Sequence, residues 1–275
     1  MQLRASGSLT MLAANIATPV SYQLPIGDEL VPLNELIGES IRLSYKGEIN
    51  CIYCGRKTSK SFNQGYCYPC MRKLARCDSC IVSPEKCHYD EGTCREPEWG
   101  EQHCMRRHYV YLANSSGLKV GITREANIPK RWIDQGAVQA LPIISVETRF
   151  QSGLVETLLK QHVADKTNWR AMLKGNIAML DLGVERDRLL AECRPELEAL
   201  QARFGLQAIQ PCEAAGQFLF EYPVLEYPTK VVSHNLDKKP DLEGRLMGIK
   251  GQYLILDTGV INIRKYTGYQ AELYC

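Results

Sequence analysis

Nine of the twelve cysteines fall between residues 51 and 104, and their spacing is that of metal ligands. Cys51-Ile52-Tyr53-Cys54 and Cys67-Tyr68-Pro69-Cys70 are two Cys-x-x-Cys knuckles separated by twelve residues. Four thiolates so placed surround one Zn²⁺ tetrahedrally and leave no position for water, so the expected site is structural. A third knuckle, Cys77-Asp78-Ser79-Cys80, is followed by Cys87-His88, Cys94 and His103-Cys104. That is more than one zinc needs. Cys77 and Cys80 are the first pair expected at a second zinc, with Cys94 and Cys104 completing it and Cys87 able to replace one of them. An iron–sulfur cluster also takes four thiolates, but this run lacks the spacing of common ferredoxins. Thiols remain free for metal in a reducing compartment, and disulfides are not expected.

Between the first two knuckles, Arg56 to Tyr66 is basic and ends in aromatic residues. Such a stretch suits a phosphate backbone with stacked bases. The plain alternative is a solvated finger loop.

The second group of residues with chemical potential begins at His108. His108-Tyr109-Val110-Tyr111-Leu112-Ala113-Asn114 and Leu118-Lys119-Val120-Gly121-Ile122-Thr123 flank Ser115-Ser116-Gly117. Two short apolar or β-branched runs about a Ser-Ser-Gly turn predict a β-hairpin. Ile128-Pro129-Lys130-Arg131-Trp132-Ile133 follows, with Pro129 suited to a first helical turn. Leu154 to Val163 has apolar residues at helical spacing, with Glu156 on another face.

This order resembles the GIY-YIG endonuclease superfamily. Tyr109-Val110-Tyr111 stands where Gly-Ile-Tyr would be, and Lys119-Val120-Gly121 stands where Tyr-Ile-Gly would be. Lys130-Arg131-Trp132 matches the family's helix bearing an arginine. Glu156 matches its metal-binding glutamate, and Asn168 its closing asparagine. The resemblance is to the branch that reads Tyr-Val-Tyr and Lys-Val-Gly. Lys119 replaces a tyrosine that in the family sits at the reacting centre. The first motif tyrosine is Tyr111 or Tyr109, which strand alternation puts on one face; Tyr111 is favoured. Taken whole, zinc knuckles, hairpin and the C-terminal Gly248-Ile249-Lys250-Gly251-Gln252-Tyr253-Leu254 are similar to an uncharacterised bacterial family regarded as GIY-YIG-like.

The resemblance implies a catalytic set of Tyr111, Lys119, Arg131, Glu156 and Asn168. Hydrolysing a phosphodiester needs an activated water, a cation on the phosphate and stabilisation of the leaving oxygen. Glu156 would hold one Mg²⁺ or Mn²⁺, the other positions being filled by water and substrate phosphate. Arg131 would donate two parallel hydrogen bonds to the phosphate. Lys119 would hold a phosphate by charge, or act as base if its surroundings lowered its pKa. His108 reads as a distal ligand, an active-site residue or a strand residue.

The elements that must position these groups define an α+β chain. A β segment (1–50) precedes a zinc-binding module (51–107) with two sites. A small GIY-YIG-like α/β domain (108–170) follows, then a helical tract (171–210) and a C-terminal β module (211–275). Ile41 to Ile49 reads as a hairpin. Leu182 to Phe204 reads as helical, with an apolar face of Val184, Leu189, Leu190, Leu197 and Leu200, divided at Pro195 and stopped at Gly205. Leu246–Leu256 turns at Asp257-Thr258-Gly259 and returns as Val260–Arg264, a meander suited to a small barrel. Leu36-Ile37-Gly38 and its sequel echo Leu246-Met247-Gly248 and its sequel, which predicts that both termini join in one barrel-like module.

The 275 residues are 45% hydrophobic and 23% charged, enough apolar material for real cores. Net charge is only +2, so any basic surface must be local. No run is long and apolar enough to span a membrane, and residues 1–7 lack the apolar core of a signal peptide; a cytoplasmic protein is expected. Three functions fit: a metal-dependent nuclease acting on DNA or RNA, a non-catalytic zinc-dependent nucleic-acid-binding protein, and a protein-binding scaffold.

Overall fold

A computed structural model describes all residues from 1 to 275. The first segment gives β1 (Leu3–Ser8), β2 (Ala13–Asn15), β3 (Ser21–Ile26), β4 (Glu29–Pro32) and β5 (Ser40–Asn50). The cysteine-rich stretch has only β6 (Lys57–Thr58), α1 (Tyr68–Lys73) and α2 (Pro97–His103), joined by 3₁₀ turns. Then come β7 (His108–Asn114), β8 (Leu118–Arg124), α3 (Lys130–Asp134), β9 (Gln139–Val146) and α4 (Arg149–Leu159). The helical tract is α5 (Trp169–Leu173), α6 (Leu182–Glu192) and α7 (Arg194–Phe204). The chain ends with β10 (Ile209–Pro211), β11 (Phe218–Leu219), β12 (Asp241–Lys250), β13 (Tyr253–Leu256), β14 (Gly259–Asn262) and β15 (Tyr269–Tyr274).

Alternation makes the strands. In β3, Tyr22, Leu24 and Ile26 are buried while Ser21, Gln23 and Pro25 are half-buried, and β15 alternates in the same way. Three antiparallel sheets result. The largest runs β1-β15-β5-β12-β13-β14, with β6 on β5. The second runs β10-β9-β7-β8, with β11 also on β9, and the third is β2-β3-β4.

The two termini do meet in one sheet: β15 lies between β1 and β5, and β5 pairs with β12. The expected barrel does not form. β1 and β14 stay as separate edges of an open sheet. The apolar face is covered by other layers instead of by closure, since one core of 33 buried residues joins β3, β5 and β12 to Tyr111 and Trp132. The expected hairpin at residues 41–49 is one long strand. Gly47 has φ +76° and lies in a bulge: the five residues from Tyr45 to Ile49 oppose the three from Tyr269 to Ala271.

The helical tract divides at Cys193, two residues before Pro195, and stops at Gly205 with φ +99°. Leu182, Leu189 and Leu197 are buried against the second sheet, whereas Val184, expected on that apolar face, is 61% exposed. No helix is long and apolar enough to cross a membrane.

Candidate active site and candidate metal centres

Hairpin register decides which side chains meet. β7 and β8 pair Tyr111 with Gly121 and Ala113 with Lys119. Period-two alternation therefore points Tyr111 and Lys119 to the same face. α3 lies over that face, its Trp132 ring edge-on to Tyr111 with centroids 5.6 Å apart. α4 starts beside the cysteine-rich segment, where Arg149 Nη2 donates to the Ile81 carbonyl at 2.7 Å and Arg149 N to the Cys104 carbonyl at 2.8 Å. Thr148 and Gln151 form a capping box that fixes this start.

Tyr111, Lys119, Arg131 and Glu156 line one cavity of about 130 Å³. Its wall also carries Gln135, Arg149 and Asp165, which lie outside the set expected from sequence. Gln135 connects two of the expected residues: its Oε1 accepts from Lys119 Nζ, and its Nε2 donates to the Tyr111 hydroxyl at 2.7 Å. The signal that could have found Gln135 is its spacing, four residues after Arg131 on the same helical face. Asp165 is brought in by the Val120 N to Ala164 O bond of 2.8 Å, which lays its loop along β8; no motif marks it. Asn168 is not on the cavity wall. It caps α5, its Oδ1 accepting from Ala171 N at 3.1 Å.

Burial sets the electrostatics. The Lys119 ammonium is pulled down to about 8 by burial, with Arg131 adding repulsion, against the pull of Glu156 and Asp165. Burial also holds the Glu156 carboxyl above the usual carboxylate range, opposed by Lys160, Arg149 and Arg131. Tyr111 is raised by burial as well. The cavity thus holds an amine that can be neutral near physiological pH beside a carboxylate that burial makes costly to ionise. Tyr109 lies away from this wall, its hydroxyl donating to Glu125 Oε1 at 3.2 Å. His108 is fully buried at the start of β7, with Nδ1 2.6 Å from the Arg106 carbonyl, and burial lowers its pKa to about 4.

The Sγ atoms of Cys51, Cys54, Cys67 and Cys70 all lie within 4.8 Å of one another. Cys54 and Cys67 are 3.7 Å apart, close to the ~3.8 Å edge of a tetrahedron with Zn–S bonds of ~2.3 Å. Burial pushes the Cys51 thiol up, but N–H groups of Cys54, Cys67 and Tyr53 outweigh it and hold it at about 6. Thiolate is the form a metal binds, so the donor set fits zinc.

Around the second cluster, Cys80, Cys87, Cys94 and Cys104 line one small cavity of about 20 Å³ together with Asp78, but their four Sγ atoms do not all lie within 4.8 Å of one another as those of the first set do. Cys77 is not on its wall; its carbonyl accepts from Asn63 Nδ2 at 3.2 Å, facing the first finger. Asp78, Cys80 and His88 form an alternative grouping with ligand atoms within 4.8 Å. Asp78 already accepts from Arg95 Nε at 2.7 Å and from Ser79 N at 2.5 Å, which weighs against it as a ligand.

A mixed α+β protein with a four-cysteine cluster able to hold a metal ion and a partly enclosed Lys–Glu–Arg cavity is the class these features define. Residues 38–271 match the family described as "Protein of unknown function (DUF2797)". The chain belongs to that family. No curated protein and no solved structure matches it.

Proposed function

We propose that the chain is a metal-dependent phosphodiesterase acting on DNA or RNA, of GIY-YIG type, with two structural zinc sites. The observation that carries this reading is the convergence of Tyr111, Lys119, Arg131 and Glu156, from a hairpin and two helices, on one cavity. Single charged residues on helices are ordinarily solvated. Four groups in the order of a nuclease motif that line one small cavity, with Tyr111 and Lys119 buried and Arg131 and Glu156 half-buried, are not an ordinary solvated set.

Glu156 is the expected ligand of Mg²⁺ or Mn²⁺, with Asp165 beside it. Carboxylate oxygens and water suit those hard cations. When bound, the cation would polarise a phosphoryl oxygen and favour ionisation of a water. Arg131 presents its fork to the phosphate. Lys119, held near 8, is able to take the proton of an attacking water. Gln135 fixes the Lys119 amine relative to the Tyr111 hydroxyl, which is aimed to steady the leaving oxygen. Asn168, named with this set from the family resemblance, caps a helix instead and has no part in the reading.

One zinc is assigned to Cys51, Cys54, Cys67 and Cys70. The second is assigned to the cavity of Cys80, Cys87, Cys94 and Cys104, which leaves out the expected Cys77. Together they rigidify a module poor in regular structure and hold Ile81 against Arg149.

Lys119 and the diverted Asn168 favour a second reading, in which the cavity binds nucleic acid without cutting it. A nuclease assay in Mg²⁺ and Mn²⁺, wild type beside Glu156→Ala, separates the two. Cleavage lost in the variant supports the enzyme. Binding without cleavage by the wild type supports the binding protein.

A further inference from the structure

The small cavity opens onto a larger one. A cleft of about 400 Å³ shares Ile81, Val82, Ile122, Arg131 and Arg149 with it. Five guanidinium groups line this cleft: Arg76, Arg124, Arg131, Arg149 and Arg264. They come from parts of the chain far apart in sequence. Arg76 lies on a 3₁₀ turn of the zinc module, Arg124 ends β8, Arg131 is on α3, Arg149 begins α4, and Arg264 is in the turn before β15. No carboxylate lines the cleft. None of the five arginines takes part in an ion pair.

On a chain of net charge +2, this is a local concentration of unneutralised cations, and bringing them together costs energy. Arg149 and Arg264 each have their pKa lowered first by burial, with Arg131 adding repulsion to both. Arg149 Nε is buried without a partner. Protein contacts leave most of the forks unused: Arg264 Nε donates to Gln64 at 2.5 Å and Arg149 Nη2 to Ile81. Guanidinium forks of this kind match phosphate oxygens in pairs, and a groove lined by one sign of charge draws in its counterion.

We infer that the five-arginine cleft is a strand-binding channel that holds consecutive phosphates of one nucleic-acid strand and leads the next phosphate into the Glu156 cavity. The inference rests on the phosphodiesterase reading of that adjoining cavity. The shared arginines, Arg131 and Arg149, are what join the two spaces. A cleft of about 400 Å³ matches the backbone of a single strand. Such binding is dominated by phosphate contacts and is tolerant of sequence. The zinc module and the C-terminal sheet each supply one wall, through Arg76 and Arg264.

The test uses the full zinc-loaded chain carrying Glu156→Gln, so that bound strand is not cut. Fluorescence anisotropy with labelled single-stranded DNA, single-stranded RNA and duplex is read across a salt series, with inorganic tripolyphosphate as competitor. Single strand is expected to bind more tightly than duplex. Arg76→Gln with Arg264→Gln should weaken it about tenfold and lower the salt slope by roughly 0.7 for each charge removed. The corresponding pair of lysine substitutions should keep the slope, which shows that the glutamine variants act through charge and not through misfolding. Wild-type affinity and slope in the glutamine pair would overturn the channel, as would preference for duplex. So would tripolyphosphate binding that matches the strand, or no binding of any nucleic acid. Cleavage by the Glu156 chain is measured in parallel. An intact salt effect without cleavage sinks the phosphodiesterase reading alone, and cleavage indifferent to Arg76 and Arg264 sinks the channel alone.

Discussion

Tyr111 lies directly over Gly121, its partner across the hairpin: a Cβ added to Gly121 would stand 2.7 Å from the Tyr111 hydroxyl oxygen. That distance is below any real contact, so the glycine of the Lys-Val-Gly motif is there to let the tyrosine fold down across the strand. The hydroxyl then meets Gln135 Nε2 at 2.7 Å. Gly121→Ala should push the Tyr111 ring off this position and break its bond to Gln135. Cleavage should fall at least tenfold, which is the loss of about 1.4 kcal/mol of transition-state stabilisation. Tyr111→Phe should give a comparable loss with the ring still packed on Trp132 and little change in melting temperature. Full activity in both variants would remove Tyr111 from the mechanism.

The Lys119 amine predicts the pH profile. Burial depresses its folded pKa to about 8. If the neutral amine takes the proton, cleavage must rise with pH, reach half its maximum near pH 8 and level off above it. Lys119→Arg keeps the charge but cannot lose the proton in this range, so the rise should vanish together with most of the activity. The stability linkage has the same direction. A depressed lysine pKa means the folded state binds fewer protons than the unfolded state between about 8 and the ordinary lysine value, so stability rises with pH across that window. A rate that falls as pH passes 8 would mean instead that the charged ammonium is the useful form.

Glu156 runs the other way. Its carboxyl is held above the usual range, chiefly by burial. The folded state therefore binds the extra proton, and stability is present in acid and lost as pH rises through the folded pKa. At neutral pH without divalent cation, the ionised Glu156 is a cost. Glu156→Gln should raise the melting temperature of the protein without added Mg²⁺ or Mn²⁺ while abolishing cleavage. Adding Mn²⁺ should stabilise wild type and leave the variant unmoved. Equal Mn²⁺ shifts in both proteins would place the cation elsewhere.

The cavity was legible where its logic is local. Strand alternation carries Tyr111 and Lys119 to one face, and helical spacing carries Arg131 and Glu156 to faces that meet them. Gln135 obeys the same local rule but belongs to no motif of the resembled family. Arg76 and Arg264 were beyond reach, because what brings them together is the docking of the cysteine-rich segment against the terminal sheet, joining residues 188 positions apart in the chain. The sharing of one sheet by both termini left an echo in sequence, but closure into a barrel depends on what covers the apolar face. Here the other layers cover it, with Trp132 and Tyr22 in the same core. Asn168 illustrates the limit of spacing: its distance from Glu156 suits the motif, but its side chain is committed to the N–H of Ala171.

The partition of the cysteines gives a count that can be checked. Sequence order pairs Cys77 with Cys80, since they form a knuckle. In the structure Cys80 lines one small cavity with Cys87, Cys94 and Cys104, and Cys77 is not on its wall, which favours the second assignment proposed above. Wild type should carry about two zinc ions per chain, as two four-thiolate sites require. Cys51→Ser and Cys87→Ser should each lose about one, and Cys77→Ser should lose none. Loss from Cys87→Ser should also loosen the start of α4, because Arg149 is tied to Ile81 and Cys104. Hydrogen exchange at Arg149 to Gln151 is the readout. Elemental analysis showing full zinc in Cys87→Ser and a deficit in Cys77→Ser would reassign the second centre to the knuckle that the sequence proposes.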